Sequence, residues 1–169
     1  AAIMEIDGEI VSEFEIKIRP FDGCSISPEA LAVSGTKIED LDEFPQEWEA
    51  LRAFLEWLGG HISKFDKNDK AFFSGYNTPF DIEFVRKLFE RNGDKFFGSW
   101  FWSGSLDVMG LALLHLAPMR HQMENFKLGT VANLVLGKDE AARIMGAEGL
   151  HNALGDIRLT REVMKAVAR

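Results

Sequence analysis

Ala71-Phe72-Phe73-Ser74-Gly75-Tyr76-Asn77-Thr78-Pro79-Phe80-Asp81 is the stretch from which the architecture can be read. Ala71 to Tyr76 is a short, mainly apolar run of the kind a buried strand uses. Thr78-Pro79 then opens a helix, supplying a capping hydroxyl and a first-turn proline whose missing N–H is not needed there. The helix should run from Pro79 to about Arg91, with Asn92-Gly93 as its C-cap. A strand feeding directly into a helix is the unit of an α/β fold. Asp81 stands at the head of a row formed by Phe84, Val85 and Leu88 at i+3, i+4 and i+7, so the spacing predicts a carboxylate beginning an apolar stripe. The helix dipole favours a first-turn aspartate, so this feature alone has an ordinary explanation.

The same anomaly recurs near the C-terminus, in Leu150-His151-Asn152-Ala153-Leu154-Gly155-Asp156-Ile157-Arg158-Leu159-Thr160. From Asp156 the inward positions of a helix are Leu159, Thr160, Val163 and Val167. An unpaired buried carboxylate costs several kcal/mol, so it has to be neutralised, paired or bound to a metal. His151 lies five residues earlier, about 140° around a helix, and belongs on the loop that follows Gly149. Two aspartates at helix starts, with a histidine near one of them, point to a shared metal site.

Gly75-Tyr76-Asn77-x-x-Phe80-Asp81 and His151-x4-Asp156 resemble the second and third motifs of the DnaQ-like DEDDh 3′-to-5′ exonucleases, the group that includes the DNA polymerase III proofreading subunit and ribonuclease T. Ser105-Leu106-Asp107, with the apolar helix after it, is similar to the stretch where that family starts a further helix. Leu128 to Gly137 resembles its next short helix. Ile26 to Ala30, Ser34-Gly35 and Leu41 resemble its segment between the third strand and the first helix. The resemblance covers nearly the whole chain.

The resemblance implies an α/β, ribonuclease H-like mixed sheet flanked by helices, with residues 1–169 forming one exonuclease-like domain. It implies two Mg²⁺ or Mn²⁺ ions as cofactors, Asp81 and Asp156 as metal ligands and His151 as general base. Asn77 would lie beside the substrate path, able to bond either backbone or nucleotide. Tyr76 and Phe80 would be placed to stack on a base, although core packing is the simpler expectation for Phe80. The partners implied are DNA or RNA 3′ ends, with a DNA polymerase as a candidate, and the products are nucleoside 5′-monophosphates.

The family's first motif, Asp-x-Glu inside an opening strand, does not stand out. Asp7-Gly8-Glu9 has the letters, but Asp-Gly between Ala2–Ile6 and Ile10–Ile18 signals a tight hairpin turn. The expectation is that a strand and its connection, roughly 15–20 residues, precede Ala1, and that the 169-residue chain is impaired without them. Two alternatives stay open. One is a noncatalytic nucleic-acid or polymerase-binding module on the same fold; the other is an unrelated interaction protein whose Asp81 and Asp156 merely cap helices.

With 46% hydrophobic residues, 14 Phe and 4 Trp, the chain of 169 residues can fill a core. No apolar run is long enough to cross a bilayer. Cys24 is the sole cysteine, which fits a reducing, cytoplasmic setting. A net charge of −8 argues against coating nucleic acid by bulk attraction. The charge is uneven: residues 1–56 hold 14 acidic and 4 basic side chains, and the later residues are slightly basic. An end-processing enzyme contacts few phosphates, so the acidic total is compatible with one. Elsewhere the pattern predicts Ile10, Phe14, Ile16 and Ile18 on the buried face of a strand, and a helix after Pro45 with Trp48, Leu51, Phe54, Leu55, Leu58 and Ile62 inward. It also predicts a short strand at Trp100 to Trp102 and a helix over Val108–Leu116 that Asp107 caps or starts. His61, His115 and His121 have spacings that suit packing or solvation better than metal ligation.

Overall fold

A computed structural model describes residues 1–146 and 152–168. Alternating turn chemistry and apolar runs give, in order, β1 (Ala2–Ile6), β2 (Glu9–Phe14), α1 (Pro28–Ser34), a 3₁₀ turn (Ile38–Glu43), α2 (Glu47–Gly59), β3 (Ala71–Gly75), α3 (Thr78–Arg91), α4 (Phe97–Trp100) and β4 (Phe101–Asp107). There follow α5 (Val108–Leu116), a second 3₁₀ turn (Ala117–Gln122), α6 (Leu128–Val135), α7 (Lys138–Met145) and α8 (Ala153–Val167). The mixed α/β class is as expected from the sequence. The described strands pair two by two, β1 with β2 and β3 with β4.

The chain divides into two compact units. The first comprises Ala1–Ala71 and Phe84–Ser103. Its β1–β2 hairpin turns on Asp7 (φ 54°) and Gly8 (φ 85°), the pair of positive φ values that a two-residue turn between twisted strands requires. The turn chemistry therefore decides this element, and Asp7 and Glu9 are not partners within one strand. A bulge between Met4 and Glu5 shifts the antiparallel register, so Met4 faces Ser12 while Glu5 faces Ile10. That shift corrects the reading of β2. Ile10 and Val11 are exposed, and the strand ends at Phe14 rather than running on to Ile18.

The hairpin is anchored on α2. Phe14, Phe54 and Trp57 meet with ring centroids 5.4–5.8 Å apart, and Trp57 Nε1 donates to Ser12 Oγ at 2.7 Å. Leu51, Leu58 and Ile62 are buried as the periodicity predicts, but Trp48 is largely exposed, under the guanidinium of Arg52 at 5.3 Å. The helix stripe needs only one large residue per turn, and Ala50 fills the adjacent inward position. Phe89, Phe97, Trp100 and Phe101 add the unit's aromatic core. Trp100 closes α4 and Phe101 opens β4, so the predicted strand begins one residue later than expected and reaches Asp107.

The second unit comprises Phe72–Glu83 and Gly104–Arg169. Its core is Val108, Ala112 and Leu116 of α5, Met123 just after the second 3₁₀ turn, Val131 and Ala132 of α6, Ala141 of α7, and Leu159, Val163 and Val167 of α8. The α5 bounds match the sequence reading. In α8 all the predicted inward residues after Asp156, namely Leu159, Thr160, Val163 and Val167, are buried. Gly155 lets α8 begin against the end of α7: a Cβ there would sit 3.2 Å from the Met145 carbonyl oxygen. Among the described residues no helix is long and apolar enough to cross a membrane.

Candidate functional site

The site candidates lie in the second unit, where β3 hands over to α3. β3 ends at Gly75, and Asn77 takes a left-handed conformation (φ 66°), which asparagine tolerates better than most residues. The Asn77 carbonyl accepts from Phe80 N at 3.1 Å, which bends the chain into α3. Thr78 is fully buried. Helix α3 therefore turns inward along Thr78, Ile82, Val85 and Phe89, leaving Asp81 and Phe84 on an outer flank. This corrects the expectation that Asp81 heads a buried row: it stays accessible, and Phe84 is 62% exposed. Two overlapping apolar rows run along this helix, and periodicity alone cannot choose between them.

Phe80 is 59% exposed, which overturns the core-packing expectation for it and leaves its ring on the surface one residue before Asp81. Tyr76 goes the other way. Its hydroxyl donates to the Phe126 carbonyl at 2.5 Å and its ring packs on the α5–α8 core, so it is held as a packing residue rather than offered for stacking. Burial, together with the nearby negative charge of Asp107, pushes its phenol up to about 12. Asn77 is exposed.

Partial burial holds the Asp81 carboxyl above the ordinary aspartate range, and the negative charge of Asp107 adds to the effect. A Cβ on Gly75 would lie 3.4 Å from Asp81 Oδ2 and 3.3 Å from Thr78 Cγ2, so the carboxylate sits close over the strand end. Asp107 caps α5, its Oδ1 accepting from Met109 N at 3.1 Å, and the same oxygen accepts from Asn77 N at 2.9 Å. The capping role was legible in the sequence. The bond to Asn77 was not, because it joins positions thirty residues apart.

Asp156 is half-buried in the first turn of α8, where Asn152 Oδ1 accepts from Gly155 N at 2.9 Å and Thr160 Oγ1 bonds back to the Asp156 carbonyl at 2.8 Å. Ser74 Oγ lies 3.9 Å from Met164 Sδ, which sets β3 alongside α8, and Tyr76 packs on the same core as Leu159. His151 lies outside the described residues. Among the described residues no three or more His, Cys, Asp or Glu side chains gather into a metal-binding group. What the site offers is carboxylate oxygen, with Asp81 and Asp107 raising the local negative charge. That donor chemistry suits Mg²⁺ or Mn²⁺ rather than a softer metal.

His115 and His121 are exposed, and His61 packs edge-on against Trp57 at 5.9 Å.

A family model described as Exonuclease matches residues 1–164. The chain is 27% identical to a ribonuclease T of Shewanella frigidimarina, over 95% of this chain and 67% of that protein. It is also 27% identical to a ribonuclease T of Shewanella denitrificans, over 95% of this chain and 66% of that protein. It thus spans about two thirds of the length of these relatives. Since the family match runs through both compact units and takes in β3, α3, α5 and α8 alike, the chain belongs to the DnaQ-like exonuclease family.

Proposed function

We propose that this chain forms the body of a single exonuclease domain that hydrolyses nucleic acid from the 3′ end and releases nucleoside 5′-monophosphates. The observation that carries the proposal is the strand-end arrangement: accessible Asp81 beside Asp107, its carboxyl held above the usual range, with exposed Phe80 and Asn77 flanking it. Excess negative charge of this kind is what a divalent cation offsets.

In this reading Asp81 and Asp156 are the chain's ligands for Mg²⁺ or Mn²⁺. When bound, two such ions acidify the attacking water and stabilise the leaving oxygen. Phe80 presents a ring face to the terminal base, and Asn77 offers its amide to the nucleotide. His151, on the segment before α8, removes the water's proton as general base. Water oxygen bonds to phosphorus, the P–O3′ bond breaks, and the penultimate nucleoside keeps its 3′-hydroxyl. The remaining acidic ligands would have to come from an Asp-x-Glu strand that residues 1–18 do not supply, because Asp7-Gly8 is a turn. On this proposal the 169-residue chain alone turns over slowly.

A DNA polymerase as partner, and a cytoplasmic setting, belong to the same proposal. A second reading is a noncatalytic nucleic-acid-binding module, which would hold a 3′ end through exposed Phe80 and Asn77 without cutting it.

The test is hydrolysis of oligonucleotides labelled at the 5′ or the 3′ end, with Mg²⁺ or Mn²⁺ and with chelator. It uses the chain and a version extended upstream by its own coding sequence. Stepwise shortening from the 3′ end, dependent on metal and abolished by Asp81→Asn and Asp156→Asn with the fold intact, is expected of the extended protein. Binding of the oligonucleotide without any shortening would favour the second reading.

A further inference from the structure

We infer that Asp107 is a positioning residue for the exonuclease site: by holding Asn77 in its left-handed turn it fixes where β3 releases the chain into α3, and so where Asp81 points. The inference rests on the functional reading above and adds to it a residue that touches neither substrate nor metal.

Three observations converge on it. First, Asp107 Oδ1 accepts two backbone N–H groups from separate segments, Asn77 N at 2.9 Å and Met109 N at 3.1 Å. A capping aspartate needs only the second. Second, the residue so held is strained by its conformation, since Asn77 has φ 66°, and a charged acceptor on its N–H stabilises the turn. Third, the turn leads straight to Asp81. Asn77 O accepts from Phe80 N at 3.1 Å, and Asp81 Oδ2 lies 3.4 Å from where a Cβ on Gly75 would stand. The carboxylate lies over the strand end that this turn closes, so a change in the turn carries Asp81 with it.

Replacing Asp107 by three different residues separates positioning from plain helix capping. Asp107→Asn keeps an oxygen at the same reach. Asp107→Ser keeps a cap for Met109, but its side chain is one atom too short to hold Asn77 as well. Asp107→Ala removes both. Each variant, made in the extended protein of the hydrolysis test, is followed by hydrogen exchange at the Asn77 amide, by Mn²⁺ binding read from water-proton relaxation, and by urea unfolding.

Positioning predicts that Asp107→Ser unfolds near the unsubstituted midpoint, yet exchanges the Asn77 amide about tenfold faster, as expected for loss of one hydrogen bond to a charged group. It should also bind Mn²⁺ about 10–100-fold more weakly, the range for losing an outer support of a metal site. Asp107→Asn should restore both properties. If Asp107→Ser matches the unsubstituted chain in exchange and Mn²⁺ binding while Asp81→Ala abolishes that binding, positioning is wrong and the metal site stands. If neither Asp81→Ala nor Asp156→Ala changes Mn²⁺ binding by the extended protein, or that protein binds none, the metal reading fails and takes this inference with it.

Discussion

Helices α3 and α8 begin alike and end differently. Each opens with a polar residue at its start, each carries an aspartate in the first turn, and in each the spacing predicts that aspartate at the head of an apolar row. In α8 the row is real: Leu159, Thr160, Val163 and Val167 are buried behind Asp156. In α3 it is not, because the helix is rotated so that Thr78 and Phe89 go inward while Asp81, Phe80 and Phe84 face out. A row of apolar residues indicates burial only when no second row competes with it. α8 carries Arg158, Arg161, Glu162 and Lys165 between its apolar positions, which favours one row, whereas α3 carries Phe80, Ile82, Phe84, Val85, Leu88 and Phe89, enough for two.

The contrast is sharpest in stability. Leu159→Ala should cost about 2–5 kcal/mol, the range for a large-to-small change in a closed core. Phe84→Ala should change stability by no more than about 0.5 kcal/mol, as for surface positions. Urea unfolding of the two variants tests this directly, and similar costs would mean that α3 is turned as the sequence suggested.

A smaller effect is expected where each aspartate's neighbourhood is closed by a glycine. Gly155→Ala drives a methyl to 3.2 Å from the Met145 backbone oxygen, which cannot rotate away. A net loss of about 1 kcal/mol is expected despite alanine's better helix propensity. Gly75→Ala meets only side-chain atoms, Thr78 Cγ2 at 3.3 Å and Asp81 Oδ2 at 3.4 Å, which can move aside. Its stability should be nearly unchanged, while Mn²⁺ binding weakens because Asp81 is displaced. A stable Gly155→Ala variant, or undisturbed Mn²⁺ binding by Gly75→Ala, would break the parallel.

The smallest effect is a pH slope. The Tyr76 phenol is raised in the folded state to about 12 from its ordinary value of 10.0, so the folded protein keeps a proton that the unfolded chain loses. Stability from this group is complete below about pH 10 and falls as pH rises toward 12. Unfolding midpoints at pH 9 and pH 11.5 should converge in Tyr76→Phe relative to the unsubstituted chain. An unchanged slope would show that the phenol is not held inside. Asp81 follows the same sign at the other end of the scale: its raised carboxyl makes the folded state lose relative stability as pH rises through the carboxylate range, a trend that Asp81→Asn should remove.

Much of the molecule could be read in advance wherever a local constraint had one solution. Asp7-Gly8 gave the hairpin turn because two consecutive residues had to accept positive φ, and Asn92-Gly93 ended α3 with Gly93 at φ 72°. The start of α5 followed from Asp107 as its cap. β2 was misread because a bulge at Met4/Glu5 breaks the period-two count, and a bulge leaves little trace in side-chain pattern. Trp48 was misread because a helix start can leave a large ring on the surface under an arginine.

For this protein the sequence alone settled the α/β class, the residues that cap and end the helices, and the family motifs around Asp81 and Asp156, since these depend on neighbours within a few positions. Only the tertiary structure decided which way α3 turns, that Tyr76 is packed while Phe80 is offered to solvent, and that Asp107 reaches back to Asn77. Those outcomes depend on which distant surfaces meet, and no periodicity in the chain records the competition between two apolar faces.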